Sequence, residues 1–381
     1  MSKKIQVGLI FGGRSGEHEV SIASALSVFN ALDKARYDVT LIAIDKSGRW
    51  MLPDVKALLA AGDNPLKIKL NEVSSGDHAV VPHPGEHQLV PVGKSAQGTL
   101  PKLDIVLPIL HGTYGEDGTI QGLLEVAQIP YIGSGVLGSV LGMDKEMAGK
   151  LFHLAGIATV PTVCVRRHEF EASPNECESK IASAFGFPVF IKPANAGSSV
   201  GVHKVKRKED LSAALKDAFL FDFKILVQKA IDARELEVSV LGNENPKASI
   251  VGEIVPRHEF YSYEAKYLDD NGADLHIPAK NLAPSLVEQA QAWAVRAFQA
   301  LECRGMARVD FFLDRHSNQL YINEINTIPG FTRISMYPKL WEASGVGYAQ
   351  LLDELIRLAI DHHQQKAALK TSYDPEHIGQ R

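Results

Sequence analysis

The stretch Ile5-Gln-Val-Gly-Leu-Ile-Phe-Gly-Gly13 decides the fold class. Its apolar residues run without a charge and stop at two glycines, the pattern of a buried strand entering a tight turn. From Val20 onward Ile22, Leu26 and Phe29 recur at helical spacing up to Asn30, and Val39–Ile44 reads as the next strand. Strand, helix, strand in this order predicts a parallel pair joined by a crossover, hence an α/β chain that opens with a doubly wound parallel sheet. Leu103–Leu110 reads as a further strand, Gly118–Ala127 as a helix and Pro130–Ile132 as a short strand. Leu66–Gly98, rich in Gly, Pro, His and Ser, reads as irregular or hairpin structure.

Near Met143 the texture changes. Asp144–Ala155 looks helical, and Phe187–Lys192 is an apolar strand followed by a Gly/Ser turn and the strand Val200–Val205. Lys208–Ala218 reads as helix and Lys224–Gln228 as strand, then Glu237–Leu241 and Ala248–Val255 as alternating strands. Arg257 to Ala279 reads as irregular. Helix Leu286–Leu301, the hairpin Arg308–Leu313 with Gln319–Ile325, and a helix from Ala349 to about His362 complete the pattern, ahead of a polar tail.

A chain of 381 residues holds two or three domains at about 150 residues each. With 40 Lys+Arg against 45 Asp+Glu the net charge is −5, which argues against a general nucleic-acid binder. Cys164, Cys177 and Cys303 form neither a disulfide framework nor a C-x-x-C knuckle, so a reducing compartment is expected. The N-terminal residues lack the long apolar core of a secretory leader. The longest uncharged stretch, Val126 to Met143, carries four glycines and a proline and does not read as a membrane span. A cytoplasmic protein with no membrane partner is the expectation.

Four constellations carry chemistry. In Lys192-Pro-Ala-Asn-Ala-Gly-Ser-Ser-Val-Gly201 a lysine ends a strand and small residues follow. Backbone N–H groups could approach phosphate there, with the lysine neutralising charge; an ordinary hairpin turn is the alternative. In Arg308-Val-Asp-Phe-Phe-Leu313 and Leu320-Tyr-Ile-Asn-Glu-Ile-Asn326, alternation puts Arg308, Asp310 and Phe312 on one face, and Glu324 with Asn326 on one face of the partner strand. Two carboxylates and an amide oxygen suit Mg²⁺, against the alternative of a solvated polar face. Glu17, just before the first helix, reads more simply as a helix cap than as a grip on a substrate ammonium. His111-Gly-Thr-Tyr-Gly-Glu-Asp-Gly118 follows a strand, where open α/β sheets bind ligands, or is a tight loop with an incidental histidine. Gly133-Ser-Gly-Val-Leu-Gly138 spells a dinucleotide fingerprint but lacks the acidic residue expected about 20 positions on, so no NAD site is expected.

In order, GGRSGEHEVS (12–21), HGTYGEDGTIQG (111–122), MDKEMAGKLF (143–152), IKPANAGSSVGV (191–202), YEAKYL (263–268), ARVDFFL (307–313) and NEINTIPGFT (323–332) resemble the D-alanine–D-alanine ligases of the ATP-grasp superfamily. The resemblance implies an N-terminal α/β substrate-binding domain (1–143), then a two-lobed ATP-grasp fold: a central subdomain (144–234) and a C-terminal subdomain with the metal and catalytic residues (235–365), before a polar tail (366–381). It implies ATP-dependent joining of two D-alanine molecules through an acyl phosphate, giving ADP and phosphate, for peptidoglycan precursors. It further implies two Mg²⁺ or Mn²⁺ ions, leaves a monovalent cation as a candidate, and implies a homodimer.

By motif, Lys145 and Lys192 would hold ATP phosphates under Gly197, Ser198 and Ser199. Gln228, Lys229, Ile231 and Glu235, with Phe260, Phe312 and Asn323, would line the rest of the nucleotide, Glu235 on the ribose. Asp310, Glu324 and Asn326 would bind the ions, Glu324 bridging. Glu17, linked to Ser198 and Tyr267, would take the ammonium of the first D-alanine, with His111 beside it. Arg308 and the Gly330 N–H resemble an oxyanion hole, and Lys266 and Ser335, next to Met336, would take the carboxylate of the second D-alanine. The Arg257–Ala279 stretch would act as a lid. Gln228 stands where many relatives carry Glu, and its carbonyl can still accept from an adenine amino group. The alternative is a ligase with a different amino-acid or hydroxy-acid acceptor, of the D-alanine–D-lactate type; Tyr267 in Glu-Ala-Lys-Tyr favours an amine acceptor.

Overall fold

The structure, a computed structural model, describes residues 3–60, 70, 74–83, 88–92, 102–257 and 273–370. Among them the chain builds three sheets. The first contains β1 (Ile5–Gly12), then α1 (His18–Ala31), β2 (Tyr37–Ile44), β3 (Trp50–Pro53), α2 (Val55–Ala60), β4 (Ser74–His83), β5 (Gln88–Val92) and β6 (Ile105–Ile109), with α3 (Thr119–Val126) and α4 (Val136–Met143) after it. Its order is β5-β4-β3-β2-β1-β6. The expected parallel core is β2-β1-β6, and β3, β4 and β5 extend it antiparallel, with β4 and β5 forming a hairpin where irregular or hairpin structure was read. The pleat sends Val7, Leu9 and Phe11 to one face with Ile22, Ala25 and Val28 of α1, and sends Ile10 to the other with Ile120 and Leu124 of α3. Each Val, Leu, Ile or Phe among them stabilises the fold by roughly 1.5–3 kcal/mol on burial. The strand expected at Pro130–Ile132 is a single bridge from Tyr131 to Val106.

The second unit contains α5 (Lys145–Leu154), β7 (Thr162–Arg166), α6 (Arg167–Ala172), α7 (Pro174–Phe185), β8 (Val189–Pro193), β9 (His203–Val205), a 3-10 turn (Lys208–Asp210), α8 (Leu211–Ala218) and β10 (Lys224–Lys229). Its sheet is antiparallel, in the order β7-β10-β8-β9. The strand expected from Val200 begins only at His203, because Ser198, Ser199 and Gly201 all adopt positive φ and keep the chain turning.

The third contains β11 (Ala233–Gly242), β12 (Lys247–Pro256), β13 (Ala273–His276), α9 (Pro284–Ala300), β14 (Gly305–Asp314), β15 (Leu320–Asn326), α10 (Met336–Ala343) and α11 (Tyr348–Ala367), in the sheet order β13-β12-β11-β14-β15. β13 lies inside the stretch read as irregular. Leu351, Leu352, Leu355 and Ile356 of α11 return to the core of the first sheet, so the first and third units share one interior. α11 runs past His362 to Ala367, held by Lys366 against Glu125 and by Arg304 against His362. Among the described residues no helix is long and apolar enough to cross a membrane.

Candidate active site

Two sheets face each other across a cleft of about 470 Å³. One wall carries cations. Alternation on β8 presents Phe190 and Lys192, and Lys145 opens α5 just after its N-cap Asp144. The Lys145 ammonium donates to the Ala196 carbonyl in the Gly/Ser loop (2.8 Å) and stands 3.4 Å from Glu324 Oε2. Lys192 Nζ donates to Asn323 Oδ1 (3.1 Å). Burial pushes its ammonium down to about 8, with the Glu324 charge pulling the other way. Lys192 and Glu324 therefore line one crevice.

The opposite wall carries the carboxylates. Arg308, Asp310 and Phe312 share a face of β14, and Glu237 pairs with Asp310 and Glu235 with Phe312 across the ladder. Arg308 grips Asp310 with two hydrogen bonds (2.7 Å each), and its Nε lies 3.0 Å from Glu237 Oε2. On β15 the register runs from Asp310↔Glu324 to Phe311↔Ile322, so Asn323 is the extra residue of a bulge. Strict alternation would separate Asn323 from Glu324; the bulge brings both to the cleft. Asn326 Nδ2 donates to Asp310 Oδ2 (3.1 Å). Among the described residues no three His, Cys, Asp or Glu side chains converge as a metal site. Asp310, Glu324 and Asn326 offer two carboxylates and an amide, a hard-oxygen set that fits a cation completing its shell with phosphate and water.

A smaller chamber of about 70 Å³ opens beside the cleft and shares with it Lys145, Gly197, Ser198, Arg308, Glu324 and Gly330. Glu17 lines it, 8% exposed. The helix-cap reading of Glu17 is corrected here: it occupies the N-cap of α1, but its side chain makes no cap hydrogen bond and accepts the Ser198 hydroxyl from the second unit. A Cβ on Gly197 or Gly112 would come 2.6 or 2.8 Å from Glu17 Oε2, so both glycines are needed for close approach. His111 is buried; its Nδ1 lies 2.9 Å from the Ile328 carbonyl and its Nε2 3.3 Å from Ser24 Oγ. Burial lowers its basicity, which keeps the ring neutral. Glu116 accepts from the N–H groups of Gly112 (2.7 Å) and Ile328 (3.2 Å). Burial first, and then the Glu17 charge, push its carboxyl up to about 8.

Of the remaining predicted residues, Ser199, Gln228, Lys229, Ile231, Ser335 and Met336 line the cleft. Gln228 Nε2 donates to Thr162 Oγ1 (3.0 Å), leaving Oε1 as its acceptor. Ser335 Oγ accepts from the Thr332 N–H (3.0 Å) and sits where a Cβ on Gly330 would reach it at 2.7 Å. Phe260, Lys266 and Tyr267 lie outside the described residues, as does most of the stretch read as a lid. Sequence reasoning passed over Glu116, which lies inside a quoted motif, and Glu237, which alternation on β11 places two residues after Glu235.

Residues 6–134 match the family model described as D-ala D-ala ligase N-terminus, and residues 151–357 the one described as D-ala D-ala ligase C-terminus. The chain is 49% identical over 369 residues to a D-alanine–D-alanine ligase of Oceanobacillus iheyensis, covering 97% of this chain and 99% of that protein. Its fold is similar to the structure of the D-alanine-D-alanine ligase from Coxiella burnetii, with TM-score 0.81, 37% identity and coverage of 96% and 97%. It is also similar to the VanG D-Ala:D-Ser ligase from Enterococcus faecalis, with TM-score 0.80, 35% identity and coverage of 94% and 100%.

Proposed function

The chain belongs to the D-alanine–D-alanine ligase family, and from that premise we propose how its residues carry out the ATP-dependent joining of two D-alanine molecules for peptidoglycan synthesis. The supporting observation is the wall common to cleft and chamber, where Lys145, Ser198, Arg308, Glu324 and Gly330 border both. A nucleotide in the cleft and a small amino acid in the chamber would meet there.

In this reading the phosphates lie against Lys145 and Lys192 under the Gly/Ser loop, and Gln228 and Glu235 take the adenine and ribose. The first D-alanine puts its ammonium on Glu17, leaving its carboxylate at the shared wall. The bond from the γ-phosphorus to the ADP oxygen breaks as one forms to a carboxylate oxygen, giving an acyl phosphate, because oxide itself is a poor leaving group. The amine of the second D-alanine then attacks the acyl carbon and loses a proton, and phosphate departs with the C–O electron pair. Arg308 and the Gly330 N–H would stabilise the oxyanion of that addition. Ser335 lies beside Gly330, in place to hold the second carboxylate. Asp310, Glu324 and Asn326 would hold two divalent cations, which when bound neutralise phosphate charge.

The division 1–143, 144–234 and 235–365, followed by the tail 366–381, belongs to the same proposal. So does a homodimer. Leu123 and Val126 of α3 and Leu137 and Val140 of α4 are exposed, Val126 by 72% and Leu137 by 57%, an apolar face that a second copy would cover. Sedimentation velocity of the purified chain reads that state directly. For the reaction, ADP and phosphate release should require D-alanine and match dipeptide formed mole for mole. Nucleotide turnover indifferent to D-alanine, with no dipeptide by mass spectrometry, would overturn the assignment.

A further inference from the structure

The residues on either side of Pro329 and Gly330 are gripped by side chains distant in sequence. Glu116 Oε1 accepts the Ile328 N–H (3.2 Å) and His111 Nδ1 donates to the Ile328 carbonyl (2.9 Å). Ser24 Oγ accepts the Phe331 N–H (3.2 Å), and Tyr348 Oη donates to the Phe331 carbonyl (2.8 Å). Ser24 ties two of these grips together, since its hydroxyl also lies 3.3 Å from His111 Nε2. With a neutral ring whose Nδ1 donates, Nε2 accepts the Ser24 proton. Proline carries no N–H, so the Gly330 amide is the only donor between the two gripped residues. Ser24 sits on α1, fully buried, and lines neither cavity. It cannot touch either substrate.

We propose that Ser24 is a positioning residue for the acyl-transfer step: through the Phe331 N–H and His111 it fixes the Gly330 amide where the oxyanion develops. The inference rests on Gly330 as the oxyanion donor, proposed above. A preorganised donor needs no reorganisation at the moment of reaction, and a displacement of about 1 Å can cost about 10²-fold in rate. Ser24→Ala would leave the Phe331 N–H and His111 Nε2 buried without a partner, so the loop would shift to recover them.

The expected result for Ser24→Ala is a fall in kcat of about 10–100-fold with the KM for ATP within about twofold. Ser24→Thr keeps the hydroxyl and should recover most of the rate, and Ser24→Cys, a weaker donor, should fall between. A phosphinate analogue of the tetrahedral adduct should lose affinity by the same factor as kcat/KM, while ADP affinity stays put. A merely structural serine would lower both affinities together or neither. If Ser24→Ala does not fold, the Thr and Cys variants carry the comparison. Unchanged kcat in Ser24→Ala, or in Ser24→Cys where Ala does not fold, overturns the proposal, as does a lowered kcat with undiminished analogue affinity. A wild-type chain without D-alanine-dependent ADP release would instead overturn the underlying reading.

Discussion

The cleft and the chamber share a wall and differ in how they are held. Most side chains of the cleft stand on strands, where ladder hydrogen bonds fix each backbone position whatever the side chain does. The chamber draws about half of its lining from segments between elements: Glu17 before α1, His111 and Glu116 after β6, Gly197 and Ser198 after β8, and the run from Thr327 to Gly330 after β15. These hold one another, through Ser198 on Glu17 and through His111 and Glu116 on Ile328, and from outside the chamber Ser24 holds the next residue along, Phe331. Removing a charge from the cleft should therefore remove chemistry and leave geometry, whereas a small steric change in the chamber should move several groups together.

Glu324→Gln tests the first half and carries the largest expected effect. The substitution keeps shape and ladder position but deletes the charge that both Lys145 and Lys192 face. Turnover at saturating ATP, D-alanine and Mg²⁺ should fall about 10²–10³-fold, with the melting temperature within about 2 °C of wild type. A near-normal rate would remove Glu324 from the phosphate and metal chemistry; a large loss of stability would erase the contrast with the chamber.

Gly112→Ala tests the second half with a single methyl group. Gly112 lines neither cavity, has φ +75°, and a Cβ there would stand 2.8 Å from Glu17 Oε2. Left-handed backbone costs a non-glycine residue about 1 kcal/mol, and the displaced carboxylate would lose its place beside Ser198. The KM for D-alanine should rise about tenfold while that for ATP stays within about twofold. Equal changes in both constants would mean that the chamber is no separate substrate site.

The same contrast governs what could be read in the residues beforehand. Period-2 alternation places Arg308, Asp310 and Glu324 on the cleft, because a strand converts spacing directly into facing. It fails at Asn323, where a bulge adds a residue to β15 that no propensity marks. It also fails for Glu17, since a carboxylate before a helix looks the same whether it caps the helix or receives a hydroxyl from another domain. α7 carries no legible apolar stripe because only Ile181 of its twelve residues is fully buried, and β7 no clear alternation because only Val165 of its five is buried. α4 was obscured by its glycines. Gly138 and Gly142 let it pack tightly, since a Cβ on either would come 2.9 Å from Glu302 O or Thr327 Cγ2. Of the three glycines in the dinucleotide-like spelling, Gly138 serves this packing, while Gly133 turns the chain at φ +104° and Gly135 stands at the N-cap of the helix.

The smallest expected effect asks whether the cation wall of the cleft rests on its ladder alone. Asp144 caps α5 by accepting from the N–H groups of Glu146 and Met147 (3.1 Å each). Lys224 on β10 donates to Asp144 and lies 3.0 Å from Glu146 Oε2, so α5, and Lys145 at its start, is tied to the central sheet by charge. Burial raises the Glu146 carboxyl, but hydrogen bonds from Lys150 and Lys224 and their charges outweigh it, and it falls to about 2 from an ordinary 4.5. A carboxyl depressed on folding stabilises fully above its unfolded value and loses that contribution as pH falls through its folded value. Glu146→Gln should thus cost about 1–2 kcal/mol at pH 7, discounted for the exposed Lys150, and the gap to wild type in urea melts should close from about pH 4.5 down to about pH 2. A gap that stays constant over that range would make the tie a matter of packing, and would leave the ladder as the sole support of the cation wall.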